Sequence, residues 1–286
     1  MSLSVLPLAV HNAAILPAPR NAYGPRVSLR RPNPLGKVMV LMYHHTGENE
    51  KFMFRSYANF RSDLQRLYEM HYRPVTMQEF VTGTMPLAPG ASPVVFTFDD
   101  GHRDQFNVLD DGTVDPKSFV GMWLDFAKTH PDFPVRATFY VNKNPWNQPK
   151  VLAQKVKMLK EWGSEVGSHT MSHPNLKKLS DDQVKKEMAE CYDLVEKLGF
   201  KPNAFAYPFG NEPRNMKLVT EGFSYNGKFY KHTNAVLAGA SPSVPIEDSR
   251  FSPYRIQRVQ AFAGEGGSDY YLGLVQQGKS APYVQP

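Results

Sequence analysis

The sequence predicts an α/β fold, a distorted or incomplete (β/α) TIM-like barrel of seven strands. Three observations lead there. Short apolar runs alternate with helix-period segments from Lys37 onward. No G-x-G-x-x-G follows any run, so an open dinucleotide-binding sheet has no support. The polar motifs fall at the C-terminal ends of the runs, where barrels gather their chemistry.

The runs are "VMVLMY" at 38–43, "PVVFTF" at 93–98, "ATFYV" at 137–141, "EVGSH" at 165–169, "AFAYP" at 204–208 and "YRIQRV" at 254–259. Between them, residues 55–71 place Phe60, Leu64, Leu67 and Tyr68 on one helical face, and residues 150–163 do the same with Leu152, Val156 and Leu159. Another helix opens at Ser180, where Ser180 and Gln183 form a capping-box pattern and Gly199 supplies the stop. Residues 104–136 are long for a single connection. Their middle, Ser118 to Thr129, has the helical spacing Phe119, Met122, Trp123 and Phe126, and the flanking residues are expected to line one side of the site. Residues 17–36 hold five prolines and two glycines without an apolar period. Residues 1–36 therefore read as an extended N-terminal arm or a remnant of an export segment, and residues 37–286 as one catalytic domain.

Composition narrows the function classes. A chain of 286 residues with 41% hydrophobic and 12% aromatic residues can bury one large core. No stretch approaches the ~18 consecutive apolar residues of a membrane span, so no transmembrane segment is expected. The net charge of +6 and pI near 9.2 come from scattered Lys and Arg. Nucleic acid is thus not the expected partner, whereas an anionic envelope or cell-wall polymer is compatible. Cys191 is the only cysteine, which excludes an internal disulfide and a Cys-based zinc site; its helical surroundings predict a buried thiol.

The stretch "TFDDG" ends a buried run in two adjacent carboxylates, Asp99 and Asp100. Like charges side by side repel, and burial raises at least one pKa. A bound cation removes the conflict. A turn at Gly101 lets the side chains diverge, one to coordinate metal and one to face the water that the metal activates. In "SHTMSH", His169 and His173 are four apart and start where a strand ends, so they can meet on one face of a turn or helix. One carboxylate and two imidazoles make a three-ligand site with open positions. Such a set suits one divalent ion, with zinc the default and cobalt, nickel or iron the alternatives. On this reading either carboxylate could be the ligand.

These motifs, in this order and spacing, resemble the polysaccharide deacetylases of carbohydrate esterase family four, the NodB-homology domain, over about Met39 to Val259. The resemblance implies that Asp99 is the general base and that Asp100, His169 and His173 are the metal ligands. "FAYPFGN" at 205–211 is similar to the family's third motif, which forms a wall of the groove and implies an oxyanion donor in the backbone amide near Phe209. Ala206 stands where that motif usually has the arginine that orients the base. Arg255 and Arg258, on a late strand, offer a replacement, and by period two they cannot both face the same side. Arg258 is the one favoured to pair with Asp99. The family's last motif, an apolar run ending in a histidine, is absent after residue 260, but "VLMYHH" at 40–45 has its form. Some biofilm-matrix deacetylases of the family are similar in carrying this motif at the N-terminus, a permutation that a closed barrel tolerates. His44 then becomes the general acid and His45 supports the pocket, while His232 and His102 stand outside the set.

The implied reaction is hydrolysis of the N-acetyl group of an N-acetylglucosamine-containing polysaccharide such as peptidoglycan, chitin or poly-N-acetylglucosamine. The implied location is secreted or associated with the cell envelope. Tyr207 and Phe209, with Trp123 or Trp146, are candidate aromatic faces for sugar rings. Two rivals keep the fold: an esterase or small cyclic-amide hydrolase using the same metal, and a carbohydrate-binding protein without turnover.

Overall fold

Eight parallel strands build the central sheet of the computed structural model, which describes residues 30–239 and 241–286. They are β1 (Met39–Tyr43), β2 (Tyr72–Val75), β3 (Ser92–Phe98), β4 (Thr138–Val141), β5 (Glu165–Ser168), β6 (Ala204–Ala206), β7 (Asn234–Gly239) and β8 (Ile256–Gln260). Seven of them close a ring in the order β1-β8-β7-β6-β5-β4-β3, sealed by β3 pairing with β1 from Met39 opposite Val94 to Tyr43 opposite Phe98. The eighth, β2, pairs only with Ser92–Val95 of β3, while β4 takes the far end of β3 at Thr97 and Phe98. The ring is therefore distorted at this seam, and again at β7 and β8, whose register shifts between Val236 and Gly239.

Alternation along each strand decides what faces the interior. Val40, Val95, Tyr140, Ala204, Ala206, Val236 and Ile256 pack together inside the ring. Their neighbours Leu41, Tyr43, Phe96, Phe98, Phe139, Val141 and Val166 pack outward against helices. Strands covered on both faces read as the near-continuous apolar runs of the sequence. The interior is narrow. A Cβ at Gly167 would sit 2.7 Å from the Tyr140 ring and 2.8 Å from the Ala204 carbonyl oxygen.

The helix Tyr57–Glu69 is capped by Ser56 and buries Phe60, Leu64 and Leu67. Asp181–Lys197 carries the Ser180–Gln183 capping box, with Gly199 at φ 77° after it. Cys191 is fully buried there and its thiol donates to the Val141 carbonyl at 3.1 Å. In the helix Leu152–Glu161 the buried residues are Lys155 and Leu159, not Val156. Lys155 holds its ammonium 5.3 Å from the Phe106 ring centre and 5.7 Å from that of Trp146 and donates it to the Phe106 carbonyl, a bond that an apolar Val156 could not make.

Two strands escape the run-by-run reading. Pro74 interrupts β2, and β7 follows a polar stretch with only "AVLA" as its apolar part. The expectation that the residues flanking Ser118–Thr129 line one side of the site is corrected, since the described lining of the cavity at the barrel mouth passes from His102 to His169. The helix Phe119–Thr129 packs on the outer face of the barrel through Phe119 against Tyr43, Phe60 and Phe98. Of the arm expected at 1–36, residues 1–29 lie outside the described residues; within the rest, Asn33 exchanges two 3.0 Å backbone hydrogen bonds with Val284.

If the barrel bore is as tight as Gly167 indicates, Gly167→Ala will lower unfolding free energy by about 2 kcal/mol through overpacking. Urea denaturation at neutral pH measures it.

Candidate active site

The inward-facing set continues past the strand ends. His44 follows Val40 and Met42, Asp99 follows Val95 and Thr97, His169 follows Gly167, and Arg258 follows Ile256 on β8. These residues meet at the C-terminal mouth of the barrel, in a cavity of about 250 Å³ that also reaches Met53, Tyr207, Phe209 and Ala238.

The backbone turns sharply beyond Asp99. Asp100 and Gly101 lie at φ 71° and 62°, two successive left-handed residues, and aspartate is among the side chains that tolerate this region best. The two carboxylates thereby part. Asp99, 2% exposed, receives a bidentate guanidinium from Arg258, with both N···O distances 2.7 Å. Arg258, itself 1% exposed, places its remaining donors on Thr97 Oγ1 at 3.0 Å and the Leu237 carbonyl at 2.7 Å. Burial would raise the Asp99 carboxyl, but the Arg258 charge, His169 and the Arg258 hydrogen bonds outweigh it and hold it below its ordinary value.

Asp100 faces His169 and His173 instead. Its Oδ1 lies 3.4 Å from Nε2 of each, and the three donor atoms all fall within 4.8 Å of one another. Bonds of about 2.1 Å in a tetrahedron put neighbouring ligands about 3.4 Å apart, which the two edges from Asp100 to the imidazoles match, so the donor types and these spacings suit an ion of zinc's size. His169 donates Nδ1–H to the Ala206 carbonyl at 2.8 Å, which leaves its Nε2 lone pair free for a metal. The turn from Thr170 to His173 is closed by the His173 N–H on Thr170 Oγ1 at 3.1 Å, with both residues at positive φ. Burial raises the Asp100 carboxyl, yet hydrogen bonds from His102 and His169 bring it far below its ordinary value.

His44 Nε2 stands 3.9 Å from Asp99 Oδ2, and His169 Nε2 stands 4.0 Å from the same oxygen. Burial lowers the His44 imidazole to about 4, against the pull of Asp99 and Asp100, so it is neutral at pH 7. Gln105 ties the two strand ends together by donating to the backbone carbonyls of His44 and Asp99. No sequence signal marks Gln105.

His45 lines the cavity, and its Nδ1 is 2.9 Å from Asp104 Oδ2. Its ring stacks on His102 at 3.7 Å, and His102 Nε2 meets Asp100 Oδ2 at 3.1 Å. His102, outside the sequence-predicted set, thus holds the carboxylate oxygen opposite the one facing the histidines. Tyr207 is 1% exposed and donates its hydroxyl to the Tyr254 carbonyl, so it offers an edge rather than a platform. Phe209 is 63% exposed, at φ 58°, with its ring 4.6 Å from that of His173. The hydrogen bonds of its turn run from Gly210 to Tyr207 and from Asn211 to Pro208, and do not use the Phe209 N–H. Arg255 points away from the cavity and pairs with Glu212 at 2.7 Å. Trp123 and Trp146 are fully buried among core aromatics, which removes them as sugar platforms. His232 is also buried, against Phe205 and Tyr192, and neither ring nitrogen has a hydrogen-bond partner among the described residues.

Two outcomes are expected. His102→Ala will weaken divalent-metal affinity about tenfold, the usual scale for losing an outer partner of a ligand, measured by competition with a chelating dye. Burial lowers His232 to about 3, so the folded chain resists a proton that the unfolded chain accepts below about 6.5. Stability will then fall as pH drops from about 6.5 toward 4. Urea unfolding at pH 7 and pH 5 with a chelator present should show a shallower loss in His232→Phe.

The family model for polysaccharide deacetylase matches residues 88–227. That span contains Asp99, Asp100, His169, His173 and Phe209, while His44 and Arg258 lie outside it. A peptidoglycan-N-acetylglucosamine deacetylase of Bacillus cereus is 31% identical over 131 residues, which is 45% of this chain and 40% of that protein. YxkH of Bacillus subtilis is 23% identical over 237 residues, 82% of this chain and 75% of that one. The chain thus spans less than half the length of the first of these relatives. The solved Streptococcus pyogenes deacetylase PplD superposes with a TM-score of 0.61 at 19% identity, covering 90% of this chain and all of its own, and so shares the fold. Together with the barrel and the matched motifs, these findings show that the chain carries, over residues 88–227, the sequence of a polysaccharide deacetylase domain.

Proposed function

We propose that this protein hydrolyses the N-acetyl group of an N-acetylglucosamine-containing polysaccharide, giving a free amine and acetate, with a divalent metal ion as cofactor. The observation that carries the reading is the separation of the two carboxylates: Asp99 is held ionised by Arg258, and Asp100 is turned to the two histidines. Asp100, His169 and His173 would hold the ion, for which zinc is the proposed identity from a donor set of one carboxylate and two imidazoles. Such an ion acidifies water and polarises a carbonyl oxygen.

Asp99 takes a proton from the attacking water as the C–O bond forms. Its bidentate clamp fixes both oxygens and keeps the acceptor charged at neutral pH. The Phe209 N–H donates to the oxyanion that develops on the acetyl group. His44, neutral at rest and 3.9 Å from Asp99 Oδ2, receives the proton that Asp99 took from water and passes it to the amide nitrogen as the C–N bond breaks, which returns Asp99 to its ionised form. His45 and Tyr207 shape the cavity beside it. Arg258 does from β8 what the family's arginine would do from the position of Ala206, which supports turnover over a purely binding role. No helix among the described residues is long and apolar enough to cross a membrane. A polysaccharide substrate of the wall or matrix would place the protein outside the cytoplasm or at the envelope.

Acetate release from N-acetylglucosamine oligomers by zinc-reloaded protein is the direct test. Asp99→Asn should abolish it, and His44→Ala should slow it by about a hundredfold or more. Hydrolysis of acetyl esters without any acetate from the oligomers would replace this reading with the esterase.

A further inference from the structure

Beside the catalytic cavity lies a second one of about 390 Å³, lined by Glu50, Lys51, Phe52, Gln260, Phe262 and Ala263. The two share a wall. Met53 lines the catalytic cavity while its neighbour Phe52 lines the second, and Gln260 Nε2 closes on Met53 Sδ at 3.4 Å. Gln260 stands two residues beyond Arg258 on β8, so the same strand serves both.

The second cavity is built in advance. Lys51 and Phe54 exchange backbone hydrogen bonds of 3.3 and 2.8 Å around a turn in which Met53 lies at φ 63°. The Met53 carbonyl accepts from the His45 N–H at 3.0 Å, which anchors the turn to the catalytic strand end. Glu50 joins the two walls: its carboxylate accepts from Arg55 at 2.8 Å, from the Ser56 N–H at 2.7 Å and from the Ala263 N–H at 3.3 Å. Phe52 nonetheless remains 79% exposed, the most exposed large apolar side chain among the described residues. An aromatic ring left bare on a pinned turn, over a mostly apolar cavity that also carries the polar side chains of Glu50, Lys51 and Gln260, suits a ligand with one apolar face and a rim of hydroxyls.

We propose that this cavity is a subsite for a neighbouring sugar of the glycan whose acetamido group occupies the catalytic cavity, with Phe52 and Phe262 stacking on its C–H face. The proposal rests on the deacetylase reading. It makes the protein selective for chains over single sugars, since a monosaccharide cannot reach both cavities.

The test combines binding and turnover on the zinc-loaded full chain. Affinities for N-acetylglucosamine and its pentamer are measured by calorimetry, and acetate release from both is followed, in wild type, Phe52→Ala, Phe52→Tyr and Phe262→Ala. Expected is a loss of about tenfold in pentamer affinity in the two alanine variants, near-wild-type values in Phe52→Tyr, and no change between variants with the monosaccharide, which occupies the catalytic cavity alone. Equal pentamer affinity in all variants, with pentamer turnover intact, would overturn the subsite and leave the deacetylase standing. So would concentration-dependent self-association that Phe52→Ala abolishes without changing pentamer affinity, which would assign the patch to a second copy of the chain. Absence of acetate from every oligomer with wild type would overturn both readings together.

Discussion

The structure turns on one buried charge pair, Asp99 with Arg258. A carboxylate at 2% exposure inside a parallel barrel cannot remain ionised on its own, because desolvation favours its neutral form. The forked guanidinium resolves this with two parallel hydrogen bonds from Nη1 and Nη2, while Nη1 also donates to Thr97 and Nε to the Leu237 carbonyl. Four backbone segments are thereby held to one register: the end of β3, the outer half of β7, β8 and, through Gln105, the end of β1. Every other group at the mouth takes its distance from this frame.

A second chain of contacts serves Asp100. Asp104 meets His45, His45 stacks on His102, and His102 meets Asp100, so three side chains in series end on one carboxylate oxygen. The opposite oxygen is left to face His169 and His173. The left-handed pair Asp100–Gly101 is what allows adjacent residues to serve two separate networks. Local backbone strain is a common feature of functional sites, and here Asp100, His173 and Phe209 all carry positive φ around a single cavity.

Much of the site was legible because its chemistry is concentrated in short motifs. "TFDDG" and "SHTMSH" place their donors within a few residues of strand ends, and strand ends of one barrel share one mouth. Arg258 was legible in a weaker way, through the alternation that sets it opposite to Arg255. His102 and Gln105 were not, since a histidine or glutamine in a loop carries no periodicity and its partner is a matter of loop path. The sugar platforms were misjudged at Trp123 and Trp146 because an apolar aromatic in a helix or turn reads the same whether it faces a core or a groove.

The sequence by itself determined the alternation of strands and helices, the inward parity of Asp99, His169 and Arg258, and the ligand types available to a metal. These follow from the period of two along a strand and from side-chain chemistry, both local properties. Tertiary structure alone decided that β1 seals against β3, which brings His44 within 3.9 Å of a carboxylate 55 positions away in the chain. It also decided that residues 45–54, not 104–136, wall the cavity. Contacts between distant segments depend on how the ring closes, and closure is settled by the packing of all the strands at once.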